Sequence, residues 1–296
     1  MKIFKENSDS LVKKAAKLNL QAAILAESIK GGNFKSVNRG QGIEFRDVRD
    51  YLAGDNVRSI DWNVTARMGR PFIKQYEEDR ELTVFFVFDQ SLSMYCGSKG
   101  KSRLETAAET ASLLLLASYL NGASVGAVLF DGKIRFSCNA KSGNQQVMMI
   151  LSKFVENKNE CEKGSVLSNA LMGAHKLLKK RSLVFVISDF RTSSWQKNLA
   201  LLASKNDVVP IRITDPLDRE LPQIGTASFF DIESGKIKKF PTSSKKFQVE
   251  WFESNRKQLD NWKEFCVRHG AFPLTISTEE EPLQSLNRFF ATRGKK

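Results

Sequence analysis

The run Thr83-Val84-Phe85-Phe86-Val87-Phe88 reads as a β-strand that is oily on both faces. Such a strand must be covered above and below, which places it in the middle of a parallel sheet. A second run, Leu183-Val184-Phe185-Val186-Ile187, has the same character. From Leu82 onward strand and helix patterns alternate, with helices expected near 103–120, 145–154, 166–178, 195–204, 246–268 and 283–292. Further strands are expected near 125–130, 134–138, 208–214 and 272–276. Strands separated by helices need crossover connections, so the expected fold is α/β with a doubly wound, mostly parallel sheet. Asp131-Gly132 is a hairpin signal between two of these strands, and 231–239 reads as a second hairpin around Glu233-Ser234-Gly235.

The chain before the sheet differs. Leu11, Ala15, Leu18, Ala22, Leu25 and Ile29 recur at spacings of three and four, the mark of an amphipathic helix, with Gly31-Gly32 as its end. Residues 33–80 are rich in Gly, Arg and Asp, with short extended pieces near 43–46 and 72–76. The expected organisation is therefore a smaller helix-plus-extended lobe over 1–80 and a sheet domain over 81–296, with a hairpin inserted near 226–240.

Composition narrows the function classes. The chain is 41% hydrophobic and 27% charged, as soluble globular proteins are. No apolar run approaches the ~18 residues that cross a bilayer, and Met1-Lys2-Ile3-Phe4-Lys5-Glu6 lacks the apolar core of a signal peptide, so a cytoplasmic location is expected. Cys96, Cys138, Cys161 and Cys266 show no CxxC spacing and read as reduced thiols. With only His175 and His269, far apart in sequence, a His-based zinc site or a Ser-His-Asp triad is hard to build. Forty-six Lys and Arg against 33 Asp and Glu give +13, which favours an acidic partner: nucleic acid, an anionic membrane surface or an acidic protein face. The basic clusters carry no interleaved aromatics and no RNP, zinc-finger or KH pattern, so solvated helix faces explain them better than nucleic-acid binding.

The residues just after the first strand carry the chemistry. Asp89-Gln90-Ser91-Leu92-Ser93 delivers a carboxylate and two hydroxyls to the carboxyl edge of the sheet, where open α/β folds bind ligands. Oxygen-only donors suit a hard cation, Mg²⁺ or Mn²⁺, better than zinc. The second buried strand ends in Ser188-Asp189-Phe190, and Gly164-Ser165-Val166-Leu167 places another hydroxyl just before a helix. An Asp-x-Ser-x-Ser alone is weak, because Asp and Ser also end strands for ordinary turn reasons. Partners from other loops raise its value.

These residues resemble the metal-ion-dependent adhesion site of the von Willebrand factor A fold. Its pattern is Asp-x-Ser-x-Ser, then a Thr, then an Asp, from three loops. Asp89, Ser91 and Ser93 match the first loop and Asp189 the last, while the Thr position falls on Ser165. The resemblance implies that the three hydroxyls bind the metal directly and the two Asp residues act mainly through waters. It also implies an open position for a partner's carboxylate, and first and fourth strands meeting at the switch point of the sheet. A second resemblance rests on Glu44-Phe45-Arg46, Tyr51-Leu52-Ala53-Gly54-Asp55, Arg58-Ser59-Ile60-Asp61-Trp62, Thr65-Ala66-Arg67 and Phe72-Ile73-Lys74-Gln75-Tyr76-Glu77-Glu78, with Pro282-Leu283-Gln284-Ser285-Leu286 and Phe289-Phe290. Together these look like the signature of a bacterial domain-of-unknown-function family, number fifty-eight. Its members are often encoded beside MoxR-type AAA ATPases, sometimes with Bat aerotolerance membrane proteins. The function this implies is a non-enzymatic, cation-dependent protein-binding module, partner or adaptor of such an ATPase in assembling or remodelling client complexes.

Other readings compete. A metal-dependent phosphohydrolase could use the same carboxylates but lacks a general base, and the haloacid-dehalogenase pattern wants an Asp where Ser91 stands. A basic nucleic-acid or membrane-surface binder would lose affinity steeply with salt. Gly100-Lys101-Ser102 ends like a Walker A loop, but Tyr95 occupies the position of its first Gly. The alternation of Arg46, Asp47, Arg49, Asp50, Asp55, Arg58 and Asp61 reads as a lattice of ion pairs holding irregular backbone, with Trp62 as a packing anchor.

Overall fold

A computed structural model describes residues 21–27, 29, 42–52, 54–79, 82–98, 100–156, 162, 164–231 and 236–293. The chain divides into two compact units, one of Met1–Ser36 with Leu82–Lys296 and one of Val37–Glu81. The expected division at residue 80 therefore acquires a different partition at the N-terminus. Helical residues 21–27 belong with the sheet unit: Asn121 Nδ2 donates to the Ala26 carbonyl at 3.0 Å, and Gln21 donates to Glu281 at 3.0 Å. Ala22, Leu25 and Ile29 are buried, as their spacing demands. The earlier part of this helix and its Gly31-Gly32 end lie outside the described residues.

In the smaller unit, β1 (Gly42–Asp50) and β2 (Phe72–Asp79) form an antiparallel pair. Between them lies a short helix, α1 (Trp62–Met68), capped by Asp61, whose carboxylate accepts from the Asn63 and Val64 amides. Arg49 grips Asp55 through both guanidinium nitrogens at 2.8 and 2.7 Å, and Arg70 pairs with Asp50 at 3.3 Å. Trp62 is not the anchor its size suggested. It opens α1 and is 67% exposed.

The larger unit is built on six strands: β3 (Thr83–Asp89), β4 (Ser124–Phe130), β5 (Ile134–Lys141), β6 (Leu183–Ser188), β7 (Asp207–Thr214) and β10 (Leu274–Ser277). Their spatial order is β10-β7-β6-β3-β4-β5, all parallel except β5, which turns back on β4 through the Asp131-Gly132 hairpin. Counted within this sheet the order is 6-5-4-1-2-3, the doubly wound arrangement. With its antiparallel hairpin edge, the fold is von Willebrand factor A-like. A separate hairpin, β8 (Thr226–Asp231) with β9 (Lys236–Pro241), occupies the place expected for the insertion.

Helices cover both faces: α2 (Arg103–Leu120), α3 (Asn144–Val155), α4 (Leu167–Leu177), α5 (Gln196–Lys205), α6 (Lys245–Arg268) and α7 (Pro282–Arg293). Alternation along β3 sends Phe86 and Phe88 to one side, against Phe154 of α3, with centroid separations of 5.6 and 4.8 Å. Phe85 and Val87 face the other, in a core shared with α4, α5 and α6. Both faces of β3 are dry, which is why the strand shows no polar alternation. Among the described residues no helix is long and apolar enough to cross a membrane.

Candidate functional site

The strand order puts β3 beside β6 at the switch point, so Asp89 and the Ser188-Asp189 pair emerge together at the carboxyl edge. Asp89 is 1% exposed and both its oxygens are engaged. Oδ1 accepts from the Ser91 amide at 2.9 Å, and Oδ2 accepts from the Ser188 hydroxyl at 2.6 Å. Burial is the main force pushing its carboxyl up to about 7, and the charge of Asp189 adds to it. The hydrogen bonds from Ser188 and Ser91 pull the other way without winning.

The loop after β3 is fixed at several points. The Gln90 amide donates to the Phe130 carbonyl at 2.7 Å, and its side chain donates to the Lys153 carbonyl at 3.0 Å. A single 3₁₀ turn over Leu92–Tyr95 comes next, held by the fully buried Met94. This turn brings Ser91 Oγ to 3.3 Å from Ser93 Oγ. The chain then folds back so closely at Gly97 that a Cβ there would lie 2.1 Å from the Lys101 carbonyl oxygen. Ser102, which ends the Walker-like tripeptide, is the N-cap of α2 in a reciprocal capping box with Glu105, and Lys101 is paired with Glu109 at 2.6 Å. The tripeptide is committed to starting a helix.

Asp189 is 3% exposed and comes directly after β6. Its Oδ1 accepts from the Arg191 amide at 3.2 Å. Oδ2 is buried with no hydrogen bond; Arg191 Nε stands 3.9 Å away, beyond hydrogen-bond reach. The next residue, Phe190, has φ 53°, a left-handed conformation that costs a bulky side chain about 1–3 kcal/mol. Packing against Trp195 and Trp262, at 5.4 and 5.3 Å between centroids, holds it there. Ser165 arrives on a third loop, pinned where the Val166 amide donates to the Asp131 carbonyl at 3.0 Å. The Thr192 hydroxyl, from the loop after Asp189, donates to the Ser165 carbonyl at 3.5 Å. Ser165 Oγ is buried and has no hydrogen-bond partner.

The structure thus joins Asp89, Ser91, Ser93 and Asp189 at one edge and ties the Ser165 loop to the loop after Asp189. Among the described residues no group of three or more His, Cys, Asp and Glu side chains could hold a metal; the set here is two carboxylates and three hydroxyls. Two of those five residues carry a buried oxygen that takes no hydrogen bond. Donors of this kind fit Mg²⁺ or Mn²⁺.

Several contributors escape a reading of the sequence. Ser188 supplies the shortest hydrogen bond to Asp89, and its only sequence signal is its place at the end of a buried strand. Arg103 is 4% exposed, reaches the Ser93 carbonyl at 3.4 Å and pairs with Asp218 at 2.8 Å. Arg191 takes the same Asp218 oxygen. Asp218 lies in the turn after β7, where composition alone shows only a Pro-Leu-Asp loop.

Comparison with known proteins gives a family without an assigned activity. The family model described as Protein of unknown function DUF58 matches residues 47–261. The uncharacterized proteins Rv1480 of Mycobacterium tuberculosis and Mb1516 of Mycobacterium bovis are each 28% identical over 275 residues, 91% of this chain and 85% of theirs. Among solved structures, BatB from Bacteroides thetaiotaomicron is similar over 73% of this chain and 100% of its own, at 15% identity and TM-score 0.47. An aerotolerance-related membrane protein from Bacteroides fragilis is similar over 72% of this chain and 98% of its own, at 17% identity and TM-score 0.45.

Proposed function

The chain belongs to the DUF58 family, and from that premise we propose that it is a non-enzymatic, divalent-cation-dependent protein-binding module. The observation that carries the reading is the pair of orphaned buried oxygens, Ser165 Oγ and Asp189 Oδ2, on loops linked at the switch point. A buried oxygen without a donor is costly, and a hard cation with its waters is the partner that would satisfy both. Ser91, Ser93 and Ser165 would hold Mg²⁺ or Mn²⁺ directly, and Asp89 and Asp189 would hold its waters and balance its charge. The cation would supply an electrophilic position for an outside carboxylate. The chain's own residues fix the frame: Ser188 and the Ser91 amide orient Asp89, and Gln90 and Met94 hold the hydroxyl-bearing turn.

The partner in this reading presents an acidic face, which suits an excess of thirteen positive charges. Family resemblance points to a MoxR-type AAA ATPase as the protein it serves and to Bat-type membrane proteins as further associates, in a cytoplasmic setting. The test uses wild-type and Asp89→Ala protein as bait in lysate of the native organism, each with Mg²⁺ or with EDTA. An AAA ATPase retained only by wild type with metal supports the reading. The same captured proteins in all four lanes would refute it.

A further inference from the structure

On the sheet face covered by α4, α5 and α6, β7 carries Arg212 into a nearly closed position, 9% exposed. A buried guanidinium ordinarily has a carboxylate or several acceptors, because an unpaired buried charge is expensive. Among the described residues none lies within ion-pair distance of Arg212, and its guanidinium makes no hydrogen bond. What it has is the face of Trp262, 5.8 Å from guanidinium carbon to ring centroid, and that indole buries its own N–H without an acceptor. Desolvation lowers the guanidinium's pKa; the fields of Asp189 and Asp218 oppose this, and those of Arg191 and Arg103 add to it.

Arg212 lines a pocket of about 320 Å³, bounded by the Asp218-Arg219 turn and by Phe252, Asn255 and Arg256 on one face of α6. Its two acidic residues are already engaged. Asp218 is held by Arg103 and Arg191, and Asp260 pairs with Arg256 at 3.7 Å. Arg219 is exposed and, among the described residues, has no carboxylate partner. A second depression of about 560 Å³ adjoins the first, sharing Arg219, Phe252 and Arg256.

Two guanidiniums without carboxylates therefore face one small volume. A single carboxylate would leave one of them uncompensated, whereas a doubly charged oxyanion matches both, and guanidinium forks bind phosphate oxygens in pairs. We propose that this pocket binds phosphate, as the free ion or as a phosphate monoester, with Arg212 at its floor and Arg219 at its mouth. The site is distinct from the cation site and can fill without it.

The experiment is thermal denaturation of the full chain in EDTA, titrated with inorganic phosphate, phosphoserine and a nucleoside monophosphate, and with sodium chloride at matched ionic strength. Wild type and Asp89→Ala should show the same saturable rise in Tm, beyond that in chloride. Arg219→Gln should weaken the apparent affinity about tenfold, the scale of one lost charge-assisted contact. Arg212→Met should fold with a Tm near that of wild type, since the guanidinium it removes opens into the pocket and, among the described residues, has no ion pair or hydrogen bond to lose, and should lose the phosphate response. A stronger response to either ester than to phosphate identifies the physiological source as that ester; equal responses identify the free ion. No rise in wild type, or a rise undiminished in both arginine variants, overturns the proposal. If Arg212→Met does not fold, Arg219→Gln decides alone, and an unweakened response there overturns it.

Discussion

Replacing Asp89 by Asn in the cation-free protein should change how stability depends on pH. The Asp89 carboxyl is pushed up from its ordinary 3.8 to about 7, first by burial and then by Asp189. Below pH 4 the group holds its proton in the folded and unfolded chains alike. As pH rises, the unfolded chain releases that proton while the folded chain keeps it, so stability falls until the folded group ionises near 7. The stability tied to the retained proton is thus complete below the unfolded value and lost as pH passes the folded one. Raising the carboxyl from 3.8 to about 7, at about 1.4 kcal/mol for each factor of ten in proton affinity, gives a loss of roughly 4 kcal/mol in wild type. The substituted side chain cannot ionise, and its amide oxygen can still accept from the Ser91 amide. The difference in unfolding free energy, variant minus wild type, should therefore grow by up to about 4 kcal/mol between pH 4 and pH 8 in EDTA. Urea unfolding followed by circular dichroism at half-unit pH steps measures it. Saturating Mg²⁺ should narrow the gap by stabilising wild type alone, about 2.7 kcal/mol at a hundredfold excess over Kd. A difference that stays flat with pH, or grows toward acid, would sink the assignment of Asp89 as a carboxylate held against its own charge.

Packing and burial set three further outcomes. Gly97→Ala must displace the Lys101 carbonyl, so it should cost about 1–3 kcal/mol and lower cation affinity, read by urea unfolding and calorimetric Mn²⁺ titration. Phe86→Ala empties a site between Phe154 and Phe185 and should destabilise by about 3–5 kcal/mol in urea without altering the affinity of the folded fraction. Burial pushes the Cys266 thiol up to about 12, so about one molecule in ten thousand is thiolate at pH 8. Maleimide labelling with mass mapping should find Cys266 unmodified in the native chain and modified in urea.

The sheet is legible in the sequence because its two oily strands admit only a covered position, and the helices between them force crossovers. The same reasoning places Asp89 and Asp189 at one edge of that sheet. What composition cannot convey is local geometry set by contacts distant in sequence. Ser188 donates to a carboxylate 99 residues away, and Arg103 reaches a carboxylate 115 residues away. Nothing near either residue in the chain signals those partners. The short helix at Trp62–Met68 is hidden for a different reason: at seven residues it is shorter than any periodicity can mark, and its Asp61 cap reads equally as an ion-pair member. Trp62 misleads through size alone, since aromatic bulk argues for burial only where a neighbouring surface is available to cover it.

Asp189 links the two charge systems on this edge. Its field raises the Asp89 carboxyl, and the same field supports the positive charge of Arg212. It spends neither effect through a hydrogen bond at Oδ2, which is buried and takes none. A cation taking up that oxygen would remove the repulsion that adds to burial in keeping the Asp89 proton, so cation binding below pH 7 would release protons. The cation would also withdraw the counter-field from Arg212, leaving the guanidinium's charge for an external anion. Binding free energies are reciprocal, so an oxyanion in the Arg212 pocket would then favour the cation by the same factor. If both proposed sites are filled, this one buried carboxylate, whose Oδ2 takes no hydrogen bond, would couple them with no moving element between.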